Sequence, residues 1–149
     1  MAIIKAVNSK SSIARAINYI TKAEKTEEKL ISGIDCNPET AIDEMKATKE
    51  LYDKDDGRQY AHFIQSFNPS DDISPEKAHE IGKEFIEKND KFKGHEIVLA
   101  THKDKNHIHN HFILNSVNYE SGNKFHTTKY EYQAMKDISN ELSKEHKLT

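Results

Sequence analysis

The sequence predicts an α+β fold, an antiparallel sheet of about five strands packed against helices. Three observations point to it. Short apolar segments rich in Ile and Val recur between polar turns. Longer amphipathic stretches with recognisable helix caps lie between them. Two strand-like runs, "GHEIVLATH" and "HIHNHFILNSVN", are joined by the polar stretch "KDKN", which is the pattern of an antiparallel hairpin.

In chain order, "AIIKAV" (2–7) reads as a strand. "SSIARAINYITK" (11–22) reads as a helix, because Ser11 or Ser12 can cap it and Ile13, Ile17 and Ile20 fall at i, i+4 and i+7. "KLISGI" is either a short strand or a loop. "PETAIDEMKATKELYD" is a helix with Pro38 near its start, and "RQYAHFIQSF" (58–67) a strand closed by the turn-like "NPSDD". The next helix is "SPEKAHEIGKEFIEKN", with Ser74 as N-cap, Pro75 at the first helical position and Ala78, Ile81, Phe85 and Ile86 as its buried stripe. The hairpin strands span 94–102 and 107–118. "YESGNKFH" is a turn with room for a short strand, and 129–146 is a final helix with Met135, Ile138 and Leu142 on one face.

Residues 1–149 suit one domain with a real core. The last helix runs on without a Gly or Pro stop, so a longer parent protein is expected. No apolar run is long enough to cross a bilayer, and "MAIIKAVNSK" lacks the apolar stretch of a secretory leader. The single cysteine, Cys36, excludes an internal disulfide; a bacterial cytoplasm is the expected compartment. The net charge of −3 argues weakly against a nucleic-acid binder. The charge is uneven, however: residues 1–25 carry five bases against one acid, and residues 26–60 ten acids against five bases. A local phosphate-binding face is compatible with that distribution.

The chemistry concentrates in "HKDKNHIHNHFILN", which holds four of the nine histidines. Strand side chains alternate faces, so His109 and His111 point the same way, about 7 Å apart along the backbone. His102 ends the neighbouring strand, and the turn brings it beside them. Three convergent imidazoles leave coordination positions open, the pattern of a catalytic rather than a structural metal site. Imidazole suits Zn, Mn, Fe, Ni and Cu, so the ion is not specified. Asp104, in the turn, is placed to accept the second N–H of a ligand histidine or to serve as a plain turn residue. His107, at the strand start, is assigned to the surface or to substrate contact. His62, His79, His95, His126 and His146 are read as structural or surface residues. There is no HExxH, no CxxC and no glycine-rich phosphate loop.

This stretch resembles the third motif of the conjugative relaxases, the mobilisation nucleases within the HUH endonucleases. His102, Asp104, His109, His111 and Asn115 match it, and "FIQSF" (63–67) and "SGNKFH" resemble flanking segments. Polar Asn110 departs from the apolar residue many members carry between the paired histidines. The resemblance implies an HUH-like fold and a divalent metal ion, Mn or Mg in function, with Zn or Ni also accommodated by three histidines. It implies a nucleophilic tyrosine in the first helix, where "INYI" places Tyr19. On a helical wheel Tyr19 lies about 120° from the middle of the isoleucine stripe, beside Arg15 and Lys22. A tyrosine phenol ionises near pH 10, so attack at neutral pH needs help, and nearby cations favour the phenolate. The rivals are Tyr52, Tyr60, Tyr119, Tyr130 and Tyr132, of which Tyr60, on a strand with His62 and Ser66, is the most serious.

The implied reaction is strand-specific nicking of single-stranded or hairpin DNA at a transfer origin, through a 5′-phosphotyrosine link that a later 3′-hydroxyl reverses. Catalytic roles fall to Tyr19 and Asp104, and metal ligation to His102, His109 and His111. Lys10, Arg15, Ser66, Asn115 and Lys124 are candidate DNA contacts. Accessory relaxosome proteins and a coupling protein are the implied partners, with no membrane. Three other readings compete: a rolling-circle replication initiator or transposase on the same site, a phosphoesterase using metal-bound water, and a metal-stapled binding module without catalysis.

Overall fold

A computed structural model describes residues 2–103 and 107–149. Its elements are β1 (Ile3–Val7), α1 (Ile13–Ile20), β2 (Ile31–Ile34), α2 (Ala41–Leu51), β3 (Tyr60–Ser66), α3 (Pro75–Lys88), β4 (Ile97–His102), β5 (His109–Asn115) and α4 (Lys129–Glu145). The strands form one five-stranded sheet in the order β1-β3-β5-β4-β2, with every neighbouring pair antiparallel. The α+β architecture expected from the sequence is the one observed.

Helix starts follow their caps. The Ser12 side chain accepts from the Arg15 amide, and Ser74 accepts from Lys77 ahead of Pro75. Thr128 and Glu131 close a reciprocal capping box at the start of α4. Helix α2 begins at Ala41, later than Pro38, because Asn37 turns the chain first. Its Oδ1 accepts from the Glu39 amide and its carbonyl from the Thr40 amide. "KLISGI" contributes strand β2, paired to β4 from Ile31↔Ala100 to Ile34↔Ile97. The "YESGNKFH" segment adds only a single bridge, Val117↔Lys124.

Two helix pairs cover the sheet. Ile13, Ile17, Ile20 and Met45 of α1 and α2 pack on one face against Tyr60, Val98, Ala100 and Ile113. On the other, Ala78, Ile81 and Phe85 of α3 with Met135 and Leu142 of α4 pack against Phe63, Leu99, Phe112 and Leu114. Strands β4 and β5 are therefore buried on both sides. Any polar residue they carry must find partners inside the protein.

Beneath α2 one such group is ionic. Lys49 is almost fully buried and donates to Asn115 Oδ1. Asn115 Nδ2 donates to Glu96 Oε1 at 2.8 Å and to the Met45 carbonyl at 3.1 Å. Thr48 Oγ1 donates to Glu96 Oε2 at 2.8 Å. Burial pulls the Lys49 ammonium down to about 8, and the nearby Glu96 opposes that fall. Removing the acid strands the cation. Glu96→Ala is expected to lower the unfolding free energy by about 3 kcal/mol, read from urea denaturation. Combining it with Lys49→Met should recover most of the loss.

Candidate active site

The β3–β5–β4 register brings the histidines together. His102 stands opposite His109, and Ala100 opposite His111. Ser66 pairs with His109 and Ile64 with His111 on the other side. His102, His109 and His111 are all buried, and one ring nitrogen from each lies within 4.8 Å of the others. His109 Nδ1 faces His111 Nε2 at 2.8 Å. His102 Nε2 donates to the Ile20 carbonyl, at the last residue of α1, at 2.8 Å. A carbonyl only accepts, so Nε2 of that ring carries a proton. His111 Nδ1 meets His62 Nε2 at 2.9 Å.

Two of these rings, His111 and His62, are held neutral. Burial pushes the His111 imidazolium down to about 2, and the neighbouring His102, His62 and His109 add to the shift. Burial likewise takes His62 to about 4, with His102 contributing. Neutral imidazoles are the form that ligates metal. The three clustered imidazoles, with one nitrogen of His102 tied to a carbonyl and one of His111 to His62, fit a divalent ion with open positions.

Tyr19 completes the group. It lies one residue before the Ile20 carbonyl that His102 holds, and it remains 44% exposed. Its ring centroid is 6.3 Å from that of His102 and 6.5 Å from that of His111, both edge-on. Lys22 Nζ and Lys25 Nζ stand 5.8 and 5.2 Å from the ring centroid. Lys22 was expected beside it from helical spacing; Lys25, beyond the helix end, was not. The rival Tyr60 is buried, and its hydroxyl donates to Ser9 Oγ at 2.8 Å.

The reverse side of the same strands accounts for Asn110. Lying between His109 and His111, it points to the opposite face and is wholly buried. Its Oδ1 accepts from Thr101 Oγ1 at 2.6 Å, and its Nδ2 donates to Gln65 Oε1 at 3.0 Å and the Ala78 carbonyl at 2.8 Å. Because the Thr101 hydroxyl gives its proton to Asn110, His79 Nδ1 must donate to Thr101 Oγ1 across 2.8 Å. His79 Nε2 then accepts from Ser32 Oγ at 2.7 Å. Gln65 Nε2 extends the chain to Ser139 Oγ at 3.2 Å. This ladder ties β3, β4 and β5 in register directly behind the histidines. Both polar atoms of the Asn110 side chain find partners in it.

The ladder also constrains α3. A Cβ on Gly82 would lie 2.8 Å from Asn110 Nδ2 and 3.1 Å from Leu99 Cδ2. Alanine normally stabilises a helix interior over glycine by about 1 kcal/mol. Here the pinned amide cannot retreat, and Gly82→Ala is expected to destabilise by about 1–3 kcal/mol instead. A higher melting temperature for that variant would contradict this packing.

Other sequence expectations divide. Ser66 sits beside His109 in the register. Asn115, expected at DNA, is 0% exposed and its amide is consumed by Lys49, Glu96 and Met45 beneath α2. Lys10 and Arg15 are exposed near the start of α1. Lys124 is exposed and donates to the Asp56 carbonyl at 2.7 Å. Asp104 lies outside the described residues. The His107 ring is 5.5 Å from that of His109, just before β5 begins. Sequence reasoning missed His62, whose contact with His111 follows from cross-strand register rather than from any local spacing.

Comparison with known proteins agrees with this geometry. The sequence model of the relaxase family, MobA/VirD2-like, nuclease domain, matches residues 19–148. Protein rlx of Staphylococcus aureus is 39% identical over 149 residues, all of this chain and 45% of the relative. A second protein rlx of Staphylococcus aureus is 36% identical over 143 residues, 96% of this chain and 41% of that protein. The group II intron-interrupted relaxase LtrB of Lactococcus lactis subsp. cremoris (strain MG1363) is 39% identical over 105 residues, 69% of this chain and 18% of its own. The chain thus spans less than half the length of these curated relatives. With the five-stranded antiparallel sheet and the buried three-histidine group, these matches place the chain in the MobA/VirD2-like relaxase nuclease domain family.

Proposed function

We propose that residues 1–149 form one nuclease domain that nicks a single DNA strand at a transfer origin by tyrosine transesterification. The observation that carries this reading is the seating of Tyr19: an exposed phenol, edge-on to two of three clustered histidines and flanked by Lys22 and Lys25. The family is a relaxase nuclease domain and the relative LtrB is named a relaxase, which supports DNA at a transfer origin as the substrate. Among the described residues no helix is long and apolar enough to cross a membrane.

His102, His109 and His111 would hold a divalent ion, Mn or Mg in function, which when bound supplies charge neutralisation at the scissile phosphate. The chain's own residues do the rest. Lys22 and Lys25 stand beside the ring as the Tyr19 hydroxyl gives its proton to water. That oxygen bonds to phosphorus as the bond from phosphorus to the 3′-oxygen breaks. The departing 3′-oxygen takes up a proton, and the 5′-phosphate stays on Tyr19. The new ester keeps the bond energy of the old one, so an incoming 3′-hydroxyl reverses the step. Asp104 is proposed to orient one ligand histidine, and Ser66, Lys10, Arg15 and Lys124 to meet the strand.

The test is incubation with Mn²⁺ and labelled single-stranded DNA from the transfer origin of the parent element, followed by a denaturing gel. A protein band carrying covalent DNA is expected from the parent chain and from neither Tyr19→Phe nor His109→Ala. Cleavage without an adduct, surviving in Tyr19→Phe, would replace this reading with hydrolysis by metal-bound water. DNA binding with no cleavage of any strand would replace it with a binding module.

A further inference from the structure

Behind the three-histidine group, on the face covered by α3 and α4, Gln65, Asn110 and Thr101 form one row across β3, β5 and β4. Two rows of the register flank it: Ser66, His109 and His102 on one side, Ile64, His111 and Ala100 on the other. All three side chains of the row are 0% exposed, so their polar atoms need partners inside the protein. The hydrogen bonds continue past both ends of the row. His79 of α3 joins Thr101 to Ser32 of β2, at 2.8 and 2.7 Å. Ser139 of α4 accepts from Gln65 Nε2 at 3.2 Å and donates to the Ala2 carbonyl, just before β1, at 3.2 Å.

Groups that can only accept fix the direction of the chain. The Ala78 carbonyl accepts from Asn110 Nδ2 at 2.8 Å, so the Asn110 oxygen faces Thr101 and the Thr101 hydroxyl donates to it. The Ala2 carbonyl likewise makes Ser139 a donor, which leaves its oxygen to accept from Gln65. Every link from Ser32 to the Ala2 carbonyl therefore runs donor to acceptor in the same sense. Apolar side chains pack against a helix about as well in neighbouring registers, whereas this chain closes in one. A slip of one residue in β5 would turn His109 and His111 toward α3 and away from Tyr19.

We propose that the Gln65–Asn110–Thr101 row is a positioning device for the metal ligands: it selects the strand register, and the pleat within it, at which the imidazoles of His102, His109 and His111 converge. The inference rests on the metal-binding reading of that group given above. Thr101 adjoins His102 in sequence, and Asn110 adjoins both His109 and His111. Each hydrogen bond on the α3 side thus fixes backbone whose next side chain, on the opposite face, is a ligand. Metal ligation tolerates displacements of only about 0.2 Å, so a small shift of β4 against β5 is enough to weaken it. His79, with both ring nitrogens bonded in the chain, carries the hold out to the edge strand β2. These residues act through the ligands they hold in place.

The test compares the parent chain with Thr101→Val and Thr101→Ser. The first keeps the branched shape and removes the hydroxyl that serves both His79 and Asn110; the second keeps the hydroxyl. In the metal-free chain the imidazole NMR signals of His102, His109 and His111 should be single and sharp in the parent and in Thr101→Ser, and displaced or doubled in Thr101→Val. Mn²⁺ affinity by calorimetry should fall about tenfold in Thr101→Val and keep the parent value in Thr101→Ser. Glu96→Ala, which weakens the fold at the other end of β4, should leave the ring signals in place. If Thr101→Val does not fold, Gln65→Met carries the same comparison, because Asn110 keeps Thr101 and Ala78 as partners. Equal losses in Thr101→Val and Thr101→Ser, or ring signals moved as far by Glu96→Ala, would reduce the row to ordinary stabilisation and overturn the proposal. If the parent binds Mn²⁺ while a folded Thr101→Val leaves both affinity and ring signals unchanged, the positioning falls and the metal reading stands. If the parent binds no Mn²⁺ while Thr101→Val alone displaces the ring signals, the metal reading falls and the positioning of the imidazoles stands.

Discussion

Tyr19→Phe is expected to form no covalent DNA adduct and to nick at least ~10³-fold more slowly than the parent chain, while binding single-stranded DNA as tightly. The substitution deletes one oxygen. The Phe ring keeps the edge-on contacts to His102 and His111 and the place beneath Lys22 and Lys25. Folding should be unaffected, because the side chain is 44% exposed and, among the described residues, no hydrogen bond of the phenol holds the helix. Chemistry and binding therefore separate cleanly in this variant. Single-turnover nicking and DNA affinity, measured side by side, check it. Equal loss of both would make Tyr19 a binding residue, and loss of neither would transfer the role elsewhere.

The second large effect is expected from His111→Ala. His111 is the central member of the group, facing His109 through Nε2 and His62 through Nδ1. Without it only two of the three clustered donors remain, and Mn²⁺ binding by calorimetry should disappear. Charge stabilisation by a bound ion amounts to several kcal/mol, so nicking should fall by roughly 10³-fold or more. His62→Ala offers the graded control. It removes a partner of a proposed ligand rather than the ligand itself, and it should weaken the ion by about 10–100-fold. An unchanged affinity in His111→Ala would show that the ion is held elsewhere.

Much of this was legible from local sequence. The β4–β5 hairpin follows from two apolar runs and a polar turn, and alternation alone placed His109 and His111 on one face. The isoleucine stripe of α1 fixed which way Tyr19 could point. What was not legible depends on partners distant in sequence. His62 reads as an ordinary strand residue until the β3–β5 register sets it beside His111, 49 residues away. Asn115 reads as a polar residue at a strand end. Only the packing of α2 shows that Lys49 and Glu96 consume its amide. Asn110 looked like a departure from the pattern of paired histidines, and its reason lies in Thr101, Gln65 and the tight approach of Gly82. Cross-strand register and helix docking are set by the whole chain, so spacing along one segment does not reveal them.

The most direct measurement is to digest the covalent DNA–protein adduct with trypsin and nuclease and weigh the peptides. Cleavage after Arg15 and Lys22 isolates "AINYITK", residues 16–22, which holds Tyr19 as its only tyrosine. A nucleotide mass attached to Tyr19 in that peptide is the predicted result. The same mass on the peptide carrying Tyr60, or a nicked strand with no modified peptide at all, would contradict Tyr19 as the nucleophile.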